Sequence, residues 1–125
     1  MYKYTELTEK IINCFYEVHK NLGYGFLEKV YENALIHELE LNNMKVESQK
    51  SIEVKYKGKV IGNYFADLVV NDTIIIELKA SRDLCQEHEA QLINYLKATK
   101  YDVGLLLNFG KSAGIKRKIF DKKSV

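Results

Sequence analysis

The segment Phe65 to Ala80, FADLVVNDTIIIELKA, constrains this chain more than any other. Two apolar runs rich in β-branched residues flank the turn-forming pair Asn71 and Asp72, the pattern of two buried strands joined by a tight connection. Asp67, Glu77 and Lys79 sit inside these runs, and an unpaired charge in a sheet interior is costly. Glu77 and Lys79 are two residues apart, so they leave the same face of a strand while Ile74, Ile76 and Leu78 fill the other. Asp67 joins them only if the connection has odd length. A two-residue loop, Asn71 and Asp72, sets Asp67 opposite Ile76, whereas a three-residue loop, Asn71 to Thr73, sets it opposite Glu77. An odd connection or a bulge is therefore expected, a device that often re-aims side chains near active sites.

Two carboxylates a few ångströms apart repel each other unless a cation lies between them. Oxygen donors with no histidine or thiolate beside them suit Mg²⁺ or Mn²⁺ rather than zinc. Lys79 next to such an ion would orient an attacking water, or offset the charge that builds on a phosphoryl group in the transition state. The plain alternative is that Glu77 and Lys79 pair on a solvent-facing strand.

The rest of the chain supplies a frame for this pair of strands. Leu7, Ile11, Cys14, Phe15, Val18 and Leu22 recur at helical spacing and predict a helix from about Thr5 to Leu22, stopped by Gly23. After the bend GYG, residues Leu27, Val30, Tyr31, Ala34, Leu35 and Leu39 predict a second helix ending near Asn42 and Asn43. Period two then takes over, with Val46, Ser48, Lys50, Ile52, Val54 and Tyr56 on one face of a half-exposed strand. YKGK turns the chain into strands from about Val60 to Val70 and Thr73 to Lys79. Asp83, with Gln86 three residues on, predicts a capped helix from Leu84 to Thr99. YDVGLLLNFG is a wholly apolar strand of the kind buried on both faces. IKRKIF is an edge strand or the start of a short helix.

At 125 residues, with 46% hydrophobic and 29% charged, the chain suits one globular domain over residues 1–125. No run is long enough to span a membrane and the N-terminus lacks a signal-peptide core, so a cytoplasmic protein with no membrane partner is expected. Cys14 and Cys85 have no CxxC spacing and read as reduced thiols, while His19, His37 and His88 are scattered, which argues against zinc. Residues 111–125 carry Lys111, Lys116, Arg117, Lys118, Lys122 and Lys123 against Asp121, a net +5, leaving −3 on the remainder. Such a tail is compatible with phosphate contacts, but a solvated charge run is the commoner explanation.

Asp67, nine intervening residues, then Glu77-Leu78-Lys79 resembles the signature of the PD-(D/E)xK nuclease superfamily. Its α/β (α+β), restriction-endonuclease-like core runs helix, three-stranded meander, helix, strand; the elements above follow that order, with one extra N-terminal helix. More narrowly, Gly25 to Tyr31, GFLEKVY, fits the motif of the GxxExxY family, and ADLVV, IELKA, HEAQLINYLKAT and VGLLLNFG look like its other blocks. The resemblance covers about Ile11 to Arg117. It implies that Asp67 and Glu77 are metal ligands for Mg²⁺ or Mn²⁺, that Glu28 adds a third carboxylate from the helix before the sheet, and that Lys79 is the catalytic lysine. Gln91 and Tyr95 match the QxxxY motif of exonuclease-like branches and, at i and i+4, share one helix face. Ala66 stands where the superfamily name has proline.

The implied activity is a metal-dependent phosphodiesterase that cleaves nucleic acid, DNA foremost, by water attack at phosphorus. The rival is a non-catalytic module that keeps the nuclease fold and binds nucleic acid or protein. So small a core would gain grip on substrate as a homodimer. No aromatic-rich loop announces stacking of a single strand.

Overall fold

A computed structural model describes residues 4–121. Helices α1 (Thr5–Leu22) and α2 (Glu28–Leu41) lead into strands β1 (Val46–Tyr56), β2 (Lys59–Val70) and β3 (Ile74–Lys79). Helix α3 (Gln86–Ala98) then crosses to β4 (Val103–Phe109), and β5 (Ala113–Ile119) follows. The five strands form one sheet in chain order. β1, β2 and β3 are an antiparallel meander, β4 runs parallel to β3, and β5 returns antiparallel to β4.

Burial follows the apolar periodicity. Ile11, Cys14, Phe15 and Val18 of α1 and Tyr31, Leu35 and Leu39 of α2 pack on one sheet face, against Leu68, Val70, Ile74, Ile76 and Leu78. Leu92 and Leu96 of α3 pack on the other, against Val69, Ile75 and Leu106. β4 lies between these layers with all seven residues buried, as its uninterrupted apolar run requires. α1 ends at Gly23, whose N–H still bonds the His19 carbonyl and whose φ of +69° then turns the chain out of the helix. IKRKIF belongs to the edge strand β5, where Lys118 is tied to Glu89 of α3 at 2.6 Å. Lys122 and Lys123 of the basic tail lie outside the described residues. Both cysteines are free thiols, and among the described residues no helix is long and apolar enough to cross a membrane.

Two expectations need correction. α3 starts at Gln86, with Cys85 rather than Asp83 at its N-cap. The His88 ring accepts the Cys85 N–H at 3.4 Å, while Asp83 lies beside Arg82 in solvent. Ser81, Arg82 and Asp83 instead form a bend stabilised by Ser81 Oγ on the Asp83 carbonyl at 3.0 Å.

The second correction bears on the site. Val46 packs against the α1–α2 layer, but Ile52 and Val54, of the same parity, pack against the α3 layer. β2 does the same, with Leu68 and Val70 on the α1–α2 side and Tyr64 and Ala66 on the α3 side. Both strands exchange faces at one place, the opposed residues Gln49 and Asp67, where Gln49 has φ +50° and the pairing is interrupted. The β1–β2 ribbon rolls over there, and its outer half folds across α3.

Candidate active site

The β2–β3 connection has three residues, Asn71 to Thr73, because Val70 pairs with Ile74. Regular pairing stops at Leu68 and Ile76. One step further, Asp67 comes opposite Glu77, and side chains take over the ladder. Asp67 Oδ2 accepts the Leu78 N–H at 2.8 Å, and the Asp67 backbone lies close enough to Glu77 to lower its carboxyl pKa. The roll of the ribbon and the end of the ladder thus coincide at Asp67, placing its carboxylate in the gap between the strands.

Glu28 reaches this region from α2, of which it is the first residue. The local reason is Tyr31. Its hydroxyl donates to the Gly23 carbonyl at 2.7 Å and accepts the Phe26 N–H at 3.2 Å, while its ring stacks on Phe109 at 4.3 Å. Gly25, at φ +106°, supplies the backbone turn inside this clamp. The glycine and tyrosine of GFLEKVY therefore fix the entry of α2, and the glutamate between them is what they position.

Glu28, Lys29, Glu32, Gln49 and Asp67 line a cleft of about 240 Å³. Glu32 is only 4% exposed, yet its charge is satisfied by Lys29 and by Gln49 Nε2 at 2.9 Å. The same Gln49 amide lies 3.3 Å from Asp67 Oδ1, so it bridges two carboxylates. On the other side of Asp67, Tyr64 donates its hydroxyl to Glu77 and lays its ring on Tyr95, with centroids 3.5 Å apart. The pKa of the Tyr95 hydroxyl is raised first by burial and then by the Glu77 charge, with Gln91, one turn earlier on α3, lowering it. Gln91 and Tyr95 therefore share the helix face that approaches the site, with Tyr64 between Tyr95 and Glu77.

The electrostatics are those of crowded acids. Burial pushes the Glu77 carboxyl up to about 7; the Asp67 N–H and the Lys79 ammonium pull it down, and Glu28 and Glu32 push it up again. Glu28 is solvent-accessible, but its carboxyl is also raised, first by desolvation and then by the Asp67 charge, against the opposing pull of Lys79 and His88. Lys79 is thus the cation common to Glu28 and Glu77. Glu32, Gln49, Tyr64 and His88 also belong to this neighbourhood. None stands out in the sequence, because each arrives through long-range packing; the position of Glu32 one residue after the GFLEKVY block is the nearest thing to a signal.

The donor set, all carboxylate oxygen with an excess of negative charge, has the chemistry of a hard divalent cation site. Among the described residues, no group of three or more His, Cys, Asp or Glu stands in geometry ready to hold an ion. Glu77 is instead engaged by the Tyr64 hydroxyl.

A family model described as the PD-(D/E)XK nuclease superfamily matches residues 5–118. No curated protein sequence matches the chain. Among solved structures, the crystal structure of SSO0001 superposes with a TM-score of 0.58 at 23% identity, over 77% of this chain and 52% of that one. The chain thus spans about half the length of SSO0001, and at this identity the likeness speaks to the fold, a mixed α+β architecture of the restriction-endonuclease type.

Proposed function

The chain belongs to the PD-(D/E)XK nuclease superfamily, and from that premise we propose that it is a metal-dependent phosphodiesterase of the GxxExxY branch, acting on nucleic acid and foremost on DNA. One observation carries the reading: Asp67 comes opposite Glu77 where the β2–β3 ladder ends, with Glu28 and Lys79 inside the same electrostatic neighbourhood. Asp67, Glu77 and Glu28 would hold Mg²⁺ or Mn²⁺. Bound there, the ion would supply Lewis acidity toward a phosphoryl oxygen and lower the pKa of a water.

The protein's own groups do the rest. The Leu78 N–H fixes the Asp67 carboxylate, and Gln49 holds its second oxygen beside Glu32. Lys79 offsets negative charge at the reacting phosphoryl group. Burial raises the Glu77 carboxyl to about 7, so it would have to ionise to hold the ion, while Tyr64, stacked on Tyr95, holds Oε1. Cleavage of single- and double-stranded substrates in Mg²⁺, Mn²⁺ or chelator tests this directly.

The engagement of Glu77 by Tyr64 favours a second reading, a binding module that keeps the fold without the chemistry. Metal-independent nucleic-acid binding with no cleavage of any substrate would select it.

A further inference from the structure

A second cavity, of about 540 Å³, opens beside the site at the carboxyl ends of the parallel strands β3 and β4. Tyr24 and Phe26 of the α1–α2 bend form one wall, and Phe109 and Gly110 at the end of β4 line another. Arg82 and Lys111 are among its lining, no acidic residue of the described chain lines it, and Asp83 stands 3.9 Å from Arg82 just outside. The cavity borders the catalytic strand and the Glu28 helix through the chain itself, because Ala80 follows Lys79 and Gly25 precedes Glu28 by three residues.

Its walls are built rather than incidental. Asn108, 3% exposed, makes a reciprocal pair with Ser81, accepting the Ser81 N–H and donating to the Ser81 carbonyl, each at 3.0 Å. A Cβ on Gly110 would stand 2.9 Å from the Ser81 carbonyl oxygen, so the two strand ends meet as closely as glycine permits. His19 Nε2 lies 2.8 Å from the Gly110 carbonyl oxygen, and the Tyr31 hydroxyl pins the opposite wall. Against this frame, Tyr24 and Phe26 remain 60% and 49% exposed, with the Phe26 ring set edge-on against Tyr31. No aromatic-rich loop stands out in the sequence; folded, this bend presents Tyr24 and Phe26 together to solvent. Exposed rings on a fixed loop, with cations at the rim, are what an unstacked base and its phosphate need.

We propose that this cavity is a nucleotide subsite, taking an unpaired nucleotide next to the scissile phosphate, with its base on Tyr24 or Phe26 and its phosphate on Arg82 and Lys111. The proposal rests on the nuclease reading and sharpens it. The substrate is a single strand or a frayed end, because a base in a duplex cannot leave its stack to reach the rings without a cost in pairing. A purely apolar protein contact is the poorer fit to a lining that includes Arg82 and Lys111, with Asp83 near Arg82 only.

The test is fluorescence anisotropy on the full chain in chelator, with labelled dT12, U12 and a blunt-ended hairpin duplex as probes. Tyr24→Ala should weaken binding of at least one single strand about tenfold and change the duplex by less than about twofold, while Tyr24→Phe should bind like wild type. Phe26→Leu gives an independent second arm, since it keeps apolar bulk against Tyr31 and removes the ring. The dT12 and U12 arms compare a DNA with an RNA single strand. Unchanged affinity for both single strands in both variants, or an equal loss on the duplex, would overturn the subsite. Cleavage in Mn²⁺, measured in parallel, separates this outcome from the enzymatic reading. An active wild type with ring-independent binding removes the subsite alone, and ring-dependent binding without cleavage removes the chemistry alone.

Discussion

Tyr64 donates its hydroxyl to the Glu77 carboxylate from the outer half of a ribbon that has rolled over α3, and the contact exists only because β1 and β2 exchange faces at Gln49 and Asp67. Glu77 is thereby enclosed, and burial lifts its carboxyl from 4.5 to about 7. The folded pKa lies above the unfolded one, so between these values the native state binds more protons than the unfolded state. Stability should therefore fall as pH rises from about 4.5 to 7, and level off above. In metal-free protein, urea denaturation at pH 5 and pH 8 should differ by roughly 2 kcal/mol more for wild type than for Glu77→Gln. An identical pH dependence in the two proteins would mean that Glu77 is not the titrating group.

Ion binding should depend on the same proton. If Glu77 must ionise before it serves as a ligand, Mn²⁺ affinity should rise about tenfold from pH 6 to pH 8, as expected for a group with a pKa near 7. The thermal upshift at fixed Mn²⁺ should grow in step. A flat affinity across this range would place the ion away from Glu77.

Much of this arrangement is legible in the sequence, and the reasons for the rest are physical. Thr5–Leu22 emerges as a helix at its true bounds because its apolar stripe and its glycine stop agree. The three-residue loop follows from parity, since only an odd connection brings Asp67 opposite Glu77. Gln49 is different. Alternation runs through it unbroken, so nothing local signals the positive φ at which the strand changes faces. The same roll hides Tyr64, whose role depends on α3 lying beneath it. Asp83 misleads because its spacing to Gln86 satisfies a capping pattern that the Ser81 bend and the Cys85–His88 pair override.

Tyr31 and Glu28 separate positioning from ligation. Glu28→Gln should weaken Mn²⁺ binding and leave the melting temperature nearly unchanged, because Glu28 is solvent-accessible. Tyr31→Phe keeps the ring on Phe109 but loses the hydrogen bonds to Gly23 and Phe26. It should lower stability by about 1–2 kcal/mol and weaken Mn²⁺ binding as well, because the entry of α2 loosens. Calorimetric titration with denaturant melts checks both. A Tyr31→Phe protein that loses stability but keeps full metal affinity would show that the clamp serves the core and not the site.

Lys79 and Asp67 test the chemistry itself. Lys79 is the cation felt by both Glu28 and Glu77, so its removal takes positive charge out of a site that is already crowded with acids. Lys79→Ala should hold Mn²⁺ as well as wild type or more tightly, yet cut the cleavage rate at least about 100-fold, the scale for losing one electrostatic stabiliser of a transition state. Asp67→Asn keeps an oxygen able to accept the Leu78 N–H, so the fold should survive. It removes a charged ligand, and metal affinity and cleavage should fall together. The two variants thus part on metal binding while agreeing on loss of rate, a pattern that a contaminating nuclease, indifferent to both substitutions, cannot produce. Equal Mn²⁺ affinity in wild type, Lys79→Ala and Asp67→Asn would detach the ion from this strand gap and end the assignment.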